Sequence, residues 1–237
     1  MKTLKKIRKK NWRKYGFDFF SIFVAVLSAF ALNNWNSARQ ARETENKILI
    51  EIANGLVKDL QDIEENKMGH QQGIYACKYF KSIAAAQTVS KDSSVLTHYV
   101  HLTKDFTSIQ NKAGYETLRS QGLELIKNDA LRQAIISLYE VDYQILRKLE
   151  EEYAEMQFQE NYFKDINKIL ASNFEFGVNS NLTGINTPLN VSNQEKNILL
   201  LYLLRIQVSR TFMISYYQKI ARKVSDLQLK INIELNK

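Results

Sequence analysis

The tightest constraint on this chain lies near its C-terminus. Leu199, Leu203, Ile206, Arg210, Met213, Tyr217, Ile220, Val224, Leu227 and Ile231 follow one another at alternating steps of four and three. That spacing places all ten on one stripe of an α-helix. Kept up for more than four heptads, it predicts a long helix over 194–236 with a buried seam. Ser192-x-x-Glu195 reads as the capping box that opens it. One residue violates the seam, Arg210. A guanidinium buried without a partner is very costly, so it must pair or reach water. At the head of the seam Ile198 to Leu204 is apolar all round, which predicts burial on every side.

The rest of the chain also reads as helix, because 8 Gly and a single Pro, Pro188, leave little material for turn-rich β structure. Over 37–68, Leu49, Ala53, Leu56, Leu60 and Ile63 form one stripe; Gly69 and Gly73 interrupt it, and a second helix covers 74–87. Residues 88–94 read as a loop, 94–110 as a helix, and 115–121 as a short helix ended by Gly122. Asn128 is suited to cap a long helix reaching about 173, and 174–191 is the one long loop. Two long helices joined by one loop should pack antiparallel. Counted back from that loop, Arg210 then faces Met156, with Glu152, Glu155 and Glu160 within a turn. The expectation is a salt bridge from Arg210 to one of these glutamates that fixes the register of the two helices.

Near the N-terminus, Phe19 to Ala38 is a run of twenty residues without a charge, roughly 30 Å as a helix, which matches a bilayer core. Its strongly apolar part is Phe19 to Leu32. Four Phe, one Ile, two Val and two Leu contribute about −4 kcal/mol to insertion, at roughly −0.3 to −0.6 each. Trp12 and Trp35 sit about 34 Å apart along a helix, one for each interface, and Asp18 lies at the edge of the span. Asp18 reads as an interfacial carboxylate or, functionally, as a membrane-embedded acid that meets a partner helix or a proton path. Ala29-Phe30-Ala31 resembles a signal-peptide cleavage site, but no Gly or Pro stops the helix before Gly55, which favours an uncleaved signal anchor.

Charge sets the orientation. Residues 1–15 hold eight Lys/Arg and no acid; the other 25 basic residues are balanced by 25 acidic ones. The body of the chain therefore has no footprint for nucleic acid, and the positive-inside rule keeps the N-terminus in the cytoplasm. The expected architecture is all-α: a basic cytoplasmic tail (1–15), a transmembrane signal-anchor helix (16–36), and a periplasmic domain (37–237) in which that helix continues into an elongated up-and-down bundle.

Chemistry-bearing motifs are few. Cys77 is the only cysteine, so no disulfide framework or thiolate zinc site is available. His98 and His101, at i and i+3, with Asp105 one turn on, have a legal metal-ligand spacing, but a solvated polar face accounts for them as well. No phosphate-binding loop, dinucleotide fingerprint, nucleophile elbow or zinc-protease motif occurs. No enzyme activity and no cofactor are expected.

The exit from the span, Asn33, Asn34, Trp35 and Asn36 after Asp18, together with "GYETLRSQG" and "LIKNDALRQAI", resembles an uncharacterised family of bacterial single-pass membrane proteins with a domain of unknown function. The matching positions in the helical part are Tyr115, Glu116, Leu118, Ser120, Gly122, Leu125, Ile126, Asn128, Leu131 and Arg132. Departures are Asp for Glu at 18, Gly16 one residue early, and Ala31 in place of Gln. The resemblance covers the first ~60 residues and about 113–150 well, and the C-terminal third weakly. It implies a Gram-negative inner-membrane location and a helical external domain, and it carries no catalytic residues.

Two functions fit. One is an anchored scaffold or accessory subunit, acting through a protein partner or a second copy, since a tail of about fifteen residues is too small to be an output domain. The other is a ligand-sensing module that signals through a membrane partner. A pocket lined by convergent polar groups would favour sensing, and an exposed apolar patch the scaffold.

Overall fold

In the computed structural model, which describes residues 2–86 and 90–236, a single helix, α1, runs from Lys2 to Ala85. The chain divides into two compact units, Met1–Ile48 and Leu49–Lys237, so the division falls within α1 at 48 rather than at the expected 36. The basic side chains ahead of Lys14 lie outside the described residues, as do the expected helix end at 87 and the first two residues of the 88–94 loop.

In the first unit the apolar segment faces outward throughout. Trp12 is 83% and Trp35 62% exposed, Asp18 is exposed, and Phe19 stacks on Phe23. Two helices are long and apolar enough to cross a bilayer, α1 and the last helix, α7 (Asn193–Leu235). They differ in what covers them. None of the apolar window of α1 is buried in protein, whereas a third of that of α7 is (33%). An exposed apolar stretch such as Phe19–Leu32 is costly in water, and a bilayer removes that cost.

The second unit is all-α with one small sheet. Gly69 and Gly73 do not interrupt α1. Its buried stripe is Leu49, Ile52, Leu56, Asp59, Ile63, Asn66, His70, Gly73, Cys77, Phe80 and Ala84, again at steps of three and four. Ala53 and Leu60, expected in this seam, flank it half-buried. The two glycines form a notch in the helix surface. A Cβ at Gly69 would lie 2.1–2.4 Å from the Phe106 ring, and one at Gly73 2.5–2.7 Å from the Arg210 guanidinium. Glycine is there because other groups occupy the space of its side chain.

α7 meets its expectation. Ser192 and Glu195 form the capping box, and all ten seam residues are buried. Its head differs: Leu201 and Leu204 are each 49% exposed, so Ile198–Leu204 is not enclosed all round. The 128–173 segment packs antiparallel to α7, as a series of contacts shows. Asp165 accepts from Tyr202, Phe158 lies under Arg210, Glu150 accepts from Tyr217, Asp142 pairs with Lys223, and Asn128 donates to Glu234.

That segment is not one helix. α4 (Asp129–Ile136) and α5 (Tyr143–Glu151) are joined through a π-helical turn, Ser137–Asp142. The chain then leaves helix at Glu152, makes a 3₁₀ turn at Ala154–Met156 and a π turn at Gln159–Phe163, and resumes as α6 (Lys164–Ala171). The expected 94–110 helix is only α2 (Val95–Thr103); 104–112 is neither helix nor strand. α3 (Ala113–Gln121) ends at Gly122, whose φ of 103° suits glycine, and Asn128 caps α4 by accepting from Leu131 N–H. Arg132 donates to the Ile126 carbonyl across this joint. Gly122, Asn128 and Arg132, three positions of the helical motif, thus form a helix–turn–helix corner.

The two expected loops hold strands. β1 (Ser90–Asp92), β2 (Phe174–Phe176) and β3 (Leu182–Thr187) make an antiparallel sheet in the order β1-β3-β2, with Ser90 opposite Thr187 and Phe174 opposite Ile185.

The notch makes a prediction. Alanine is favoured over glycine inside a helix by about 1 kcal/mol. Gly69→Ala should nonetheless destabilise the protein by about 1–3 kcal/mol, because the new methyl overlaps the Phe106 ring. Urea unfolding of the variant measures this; a stabilised variant would show that the ring moves aside freely.

Candidate functional site

The charged residues in these seams converge on one place. α1 brings Asp59, Asn66 and His70 into the core, α5 brings Glu150 and α7 brings Arg210, which is 0% exposed. The irregular segment 104–112 runs against them. Its backbone has no helix or sheet ladder to join, so side chains must satisfy its polar groups.

Asp59 accepts from the Asn111 N–H (2.7 Å) and side-chain amide (2.8 Å), and from the Tyr143 hydroxyl (2.6 Å). Asp62 accepts from Ile109 N–H at 2.9 Å. Glu150 Oε1 accepts three bonds, from Ser108 N–H, Ser108 Oγ and Tyr217 Oη at 3.1, 2.8 and 2.5 Å. Arg210 Nη2 donates to the carbonyls of Leu102 and Lys104, both at 2.9 Å. The guanidinium carbon lies over the rings of Phe106 (5.7 Å) and Phe158 (5.0 Å), within cation–π range.

The expected salt bridge to Glu152, Glu155 or Glu160 does not form. All three glutamates are exposed, and among the described residues Arg210 has no carboxylate ion pair. The break in the helix at 152–158 is the physical reason. It turns Phe158, not a glutamate, toward Arg210, so the charge is met by two carbonyls and two rings.

Between these groups lies a cavity of about 260 Å³, lined by His70, Asp105, Phe106, Glu150, Met156, Phe158 and Arg210, with Thr107, Glu151 and Gln157. Polar atoms of three buried lining residues have no hydrogen-bond partner among the described residues. They are Nε and Nη1 of Arg210, Oε2 of Glu150, and both ring nitrogens of His70. Buried polar groups in folded proteins are nearly always paired, so five such atoms around one cavity are unusual.

Burial also shifts their ionisation. His70, held between Phe106 and Tyr217 with ring centroids at 5.4 and 5.6 Å, is lowered to about 3, first by loss of water and then by the Arg210 charge. Burial raises the Glu150 carboxyl, partly offset by the bonds from Tyr217 and Ser108. Asp105 is raised by burial and pulled back by Arg210, and burial lowers the Arg210 guanidinium. Cys77, next along the α1 stripe, is pushed up to about 11 by burial and so holds no thiolate at neutral pH.

Comparison with models of protein families, with curated proteins and with solved structures found no match. The site must be read from its own geometry.

The metal-ligand spacing read from sequence comes apart in the fold. His98 stacks on Tyr79 (3.9 Å between centroids), and α2 ends at Thr103, so Asp105 is not one helical turn beyond His101 but on the cavity wall. Among the described residues no group of three or more His, Cys, Asp or Glu is placed to hold a metal. Of the residues singled out from sequence, Arg210 and Asp105 reach the cavity, while Trp12, Asp18 and Trp35 are on the exposed face of α1. Apolar spacing alone leaves Asp59 and His70 out of the α1 stripe, and Glu150, on α5, carries no sequence signal of its own. The signal was present: the three–four spacing runs straight through Asp59, Asn66 and His70.

The His70 ring gives a pH test. Between about 6.5 and about 3 an unfolded chain protonates this histidine and the folded one does not. Its contribution to stability therefore falls as pH drops, by up to about 1.4 kcal/mol per pH unit. Asp59 and Glu150, raised in the fold, act in the opposite sense just above their ordinary values. Comparison with His70→Phe isolates the histidine. Urea unfolding at pH 7, 6, 5 and 4 should show the wild type losing stability relative to the variant on acidification; parallel curves would mean that His70 protonates in place.

Proposed function

We propose that this protein is a membrane-anchored, non-enzymatic binding module: the helical unit takes up a small ligand in the cavity beside Arg210 and reports its occupancy to a membrane partner. One observation carries the reading, the convergence of buried Arg210, Glu150 and His70 with unpartnered polar atoms on a single cavity. Ligand sites characteristically combine apolar walls with a few convergent polar groups, and here Phe106, Phe158 and Met156 supply the walls.

The location follows from the N-terminal segment. The Phe19–Leu32 run spans the inner membrane as an uncleaved anchor, the eight basic residues before it remain in the cytoplasm, and the Leu49–Lys237 unit is periplasmic. The resemblance to bacterial single-pass membrane proteins supports the same placement. A reporter active only outside the cytoplasm, fused after Lys237, should be active, and the purified protein should retain Met1 to Leu32. A mature chain beginning near Leu32 would overturn the anchor.

A second reading, an accessory subunit acting through protein contacts, draws on a different face. Leu201, Leu204, Val208 and Phe212 are exposed on the side of α7 opposite its seam, at steps of three, four and four. That spacing suits a second copy of the same helix. Under this reading the full chain in bilayers should cross-link to itself through α7, and Leu204→Glu with Val208→Glu should abolish the cross-link without altering ligand uptake.

A further inference from the structure

The cavity also has a chemical polarity, and it narrows what can fill it. Arg210 brings a positive charge into a site where it is 0% exposed and, among the described residues, has no carboxylate ion pair, only the longer-range pull of Asp105 on the cavity wall. A buried charge of this kind is stabilised strongly by an opposite charge that arrives with its own hydrogen-bond acceptors. Phe106 and Phe158 lie within cation–π range of the guanidinium, and its Nη2 is taken by the Leu102 and Lys104 carbonyls. What remains are the N–H donors Nε, which lies against Gly73, and Nη1, neither with a partner among the described residues. An acceptor anion in the plane of the guanidinium meets them; a cation does not.

Glu150 makes the complementary demand. Its Oε1 already accepts three hydrogen bonds and its Oε2 accepts none, so an incoming group must bring a donor to satisfy it. His70, neutral at physiological pH, adds one donor and one acceptor on the same wall. At about 260 Å³ the cavity is smaller than the ~300–1,000 Å³ of pockets for drug-sized ligands, so the occupant is small.

We infer that the cavity binds a small carboxylic acid that also carries a hydrogen-bond donor, an amino acid or a hydroxy acid, with its carboxylate on Arg210 and its donor on Glu150. This rests on the reading of the protein as a small-ligand module. A plain carboxylate would leave Glu150 Oε2 unsatisfied, an amine would leave Arg210 uncompensated, and a neutral polyol would supply no counter-charge.

The test is isothermal titration of the full chain in lipid nanodiscs with L-alanine, L-serine, L-lactate, acetate, ethanolamine, glycerol and inorganic phosphate. An amino acid or hydroxy acid should bind more tightly than acetate, and whether the amino acids or lactate lead tells which donor Glu150 receives. Arg210→Met should weaken that binding roughly 30-fold or more, the scale for removing one partner of a buried charge pair. Glu150→Gln should reduce the preference over acetate while leaving acetate itself little changed, and it serves alone if Arg210→Met fails to fold by circular dichroism. Acetate or phosphate binding as tightly as the substituted acids, or ethanolamine or glycerol binding without loss in Glu150→Gln, would overturn the ligand class while the small-ligand reading stands. No binding by any of the seven would overturn that reading and the inference together.

Discussion

Nine residues that belong to no helix or strand, 104–112, set the terms for the rest of the second unit. Ser108 at their centre is buried and Phe106, Gln110, Asn111 and Lys112 are half-buried against packed helices, where an unpaired backbone group costs about 1–3 kcal/mol. The neighbouring helices answer with charged side chains: Asp59 and Asp62 from α1 for Asn111 and Ile109, Glu150 from α5 for Ser108. Arg210 from α7 reaches the preceding carbonyls of Leu102 and Lys104. Acids take the N–H donors of Ser108, Ile109 and Asn111, while Arg210 takes the Lys104 carbonyl and Tyr139 that of Asn111. The segment is a backbone spacer whose polarity dictates which charges the surrounding seams must contain.

Those charges are tolerable only because of local devices. The guanidinium lies within cation–π range of two aromatic rings and against a helix that has no side chain at Gly73. Glu150 is stabilised by three donors on one oxygen, and Asp59 by three donors shared over both of its oxygens. Yet the satisfaction is lopsided. Asp59 is fully employed in structure, whereas Glu150 and Arg210, which both line the cavity, each keep polar atoms without a partner among the described residues. Residues needed only to hold the segment would have no reason to leave capacity over on one side.

How far the sequence discloses this depends on whether one polarity rule or several are at work. The α7 seam is legible to the last residue because nine of its ten positions are apolar and a helix this long has no competing period. The antiparallel register is legible too: Arg210 was expected opposite Met156, and Phe158, two residues on, lies beneath it. The chemistry at that point is not, because the expected partner depended on an unbroken helix through 152–158. A stretch of good helix formers, "EEYAEMQ", leaves helix here to present Met156 and Phe158 to the core, tertiary packing overriding local propensity. The sheet escaped for a similar reason. Its strands of three, three and six residues are too short to show a period of two, and their pairing joins 90–92 to 182–187 across the sequence. In α1 the glycines read as breaks because a notch and a break look alike until the group that fills the notch is known.

Arg210 still sets register, by another route than an ion pair. The seams of α1 and α7 are regular enough that a slip of one heptad would keep apolar residues against apolar residues almost everywhere. It would not keep the polar positions. Moving α7 by seven residues brings Leu203 or Tyr217 to the place of Arg210, opposite Gly73 and the Leu102 and Lys104 carbonyls. Neither side chain can donate to both carbonyls, and Tyr217 would leave Glu150 without its hydroxyl. Each slipped state therefore strands buried groups on two elements at once, a penalty of several hydrogen bonds against almost no change in apolar burial. The same side chains that make the site polar thus make the bundle unique, and a ligand that engages Arg210 and Glu150 acts on the contacts that decide how α7 sits against α1 and α5.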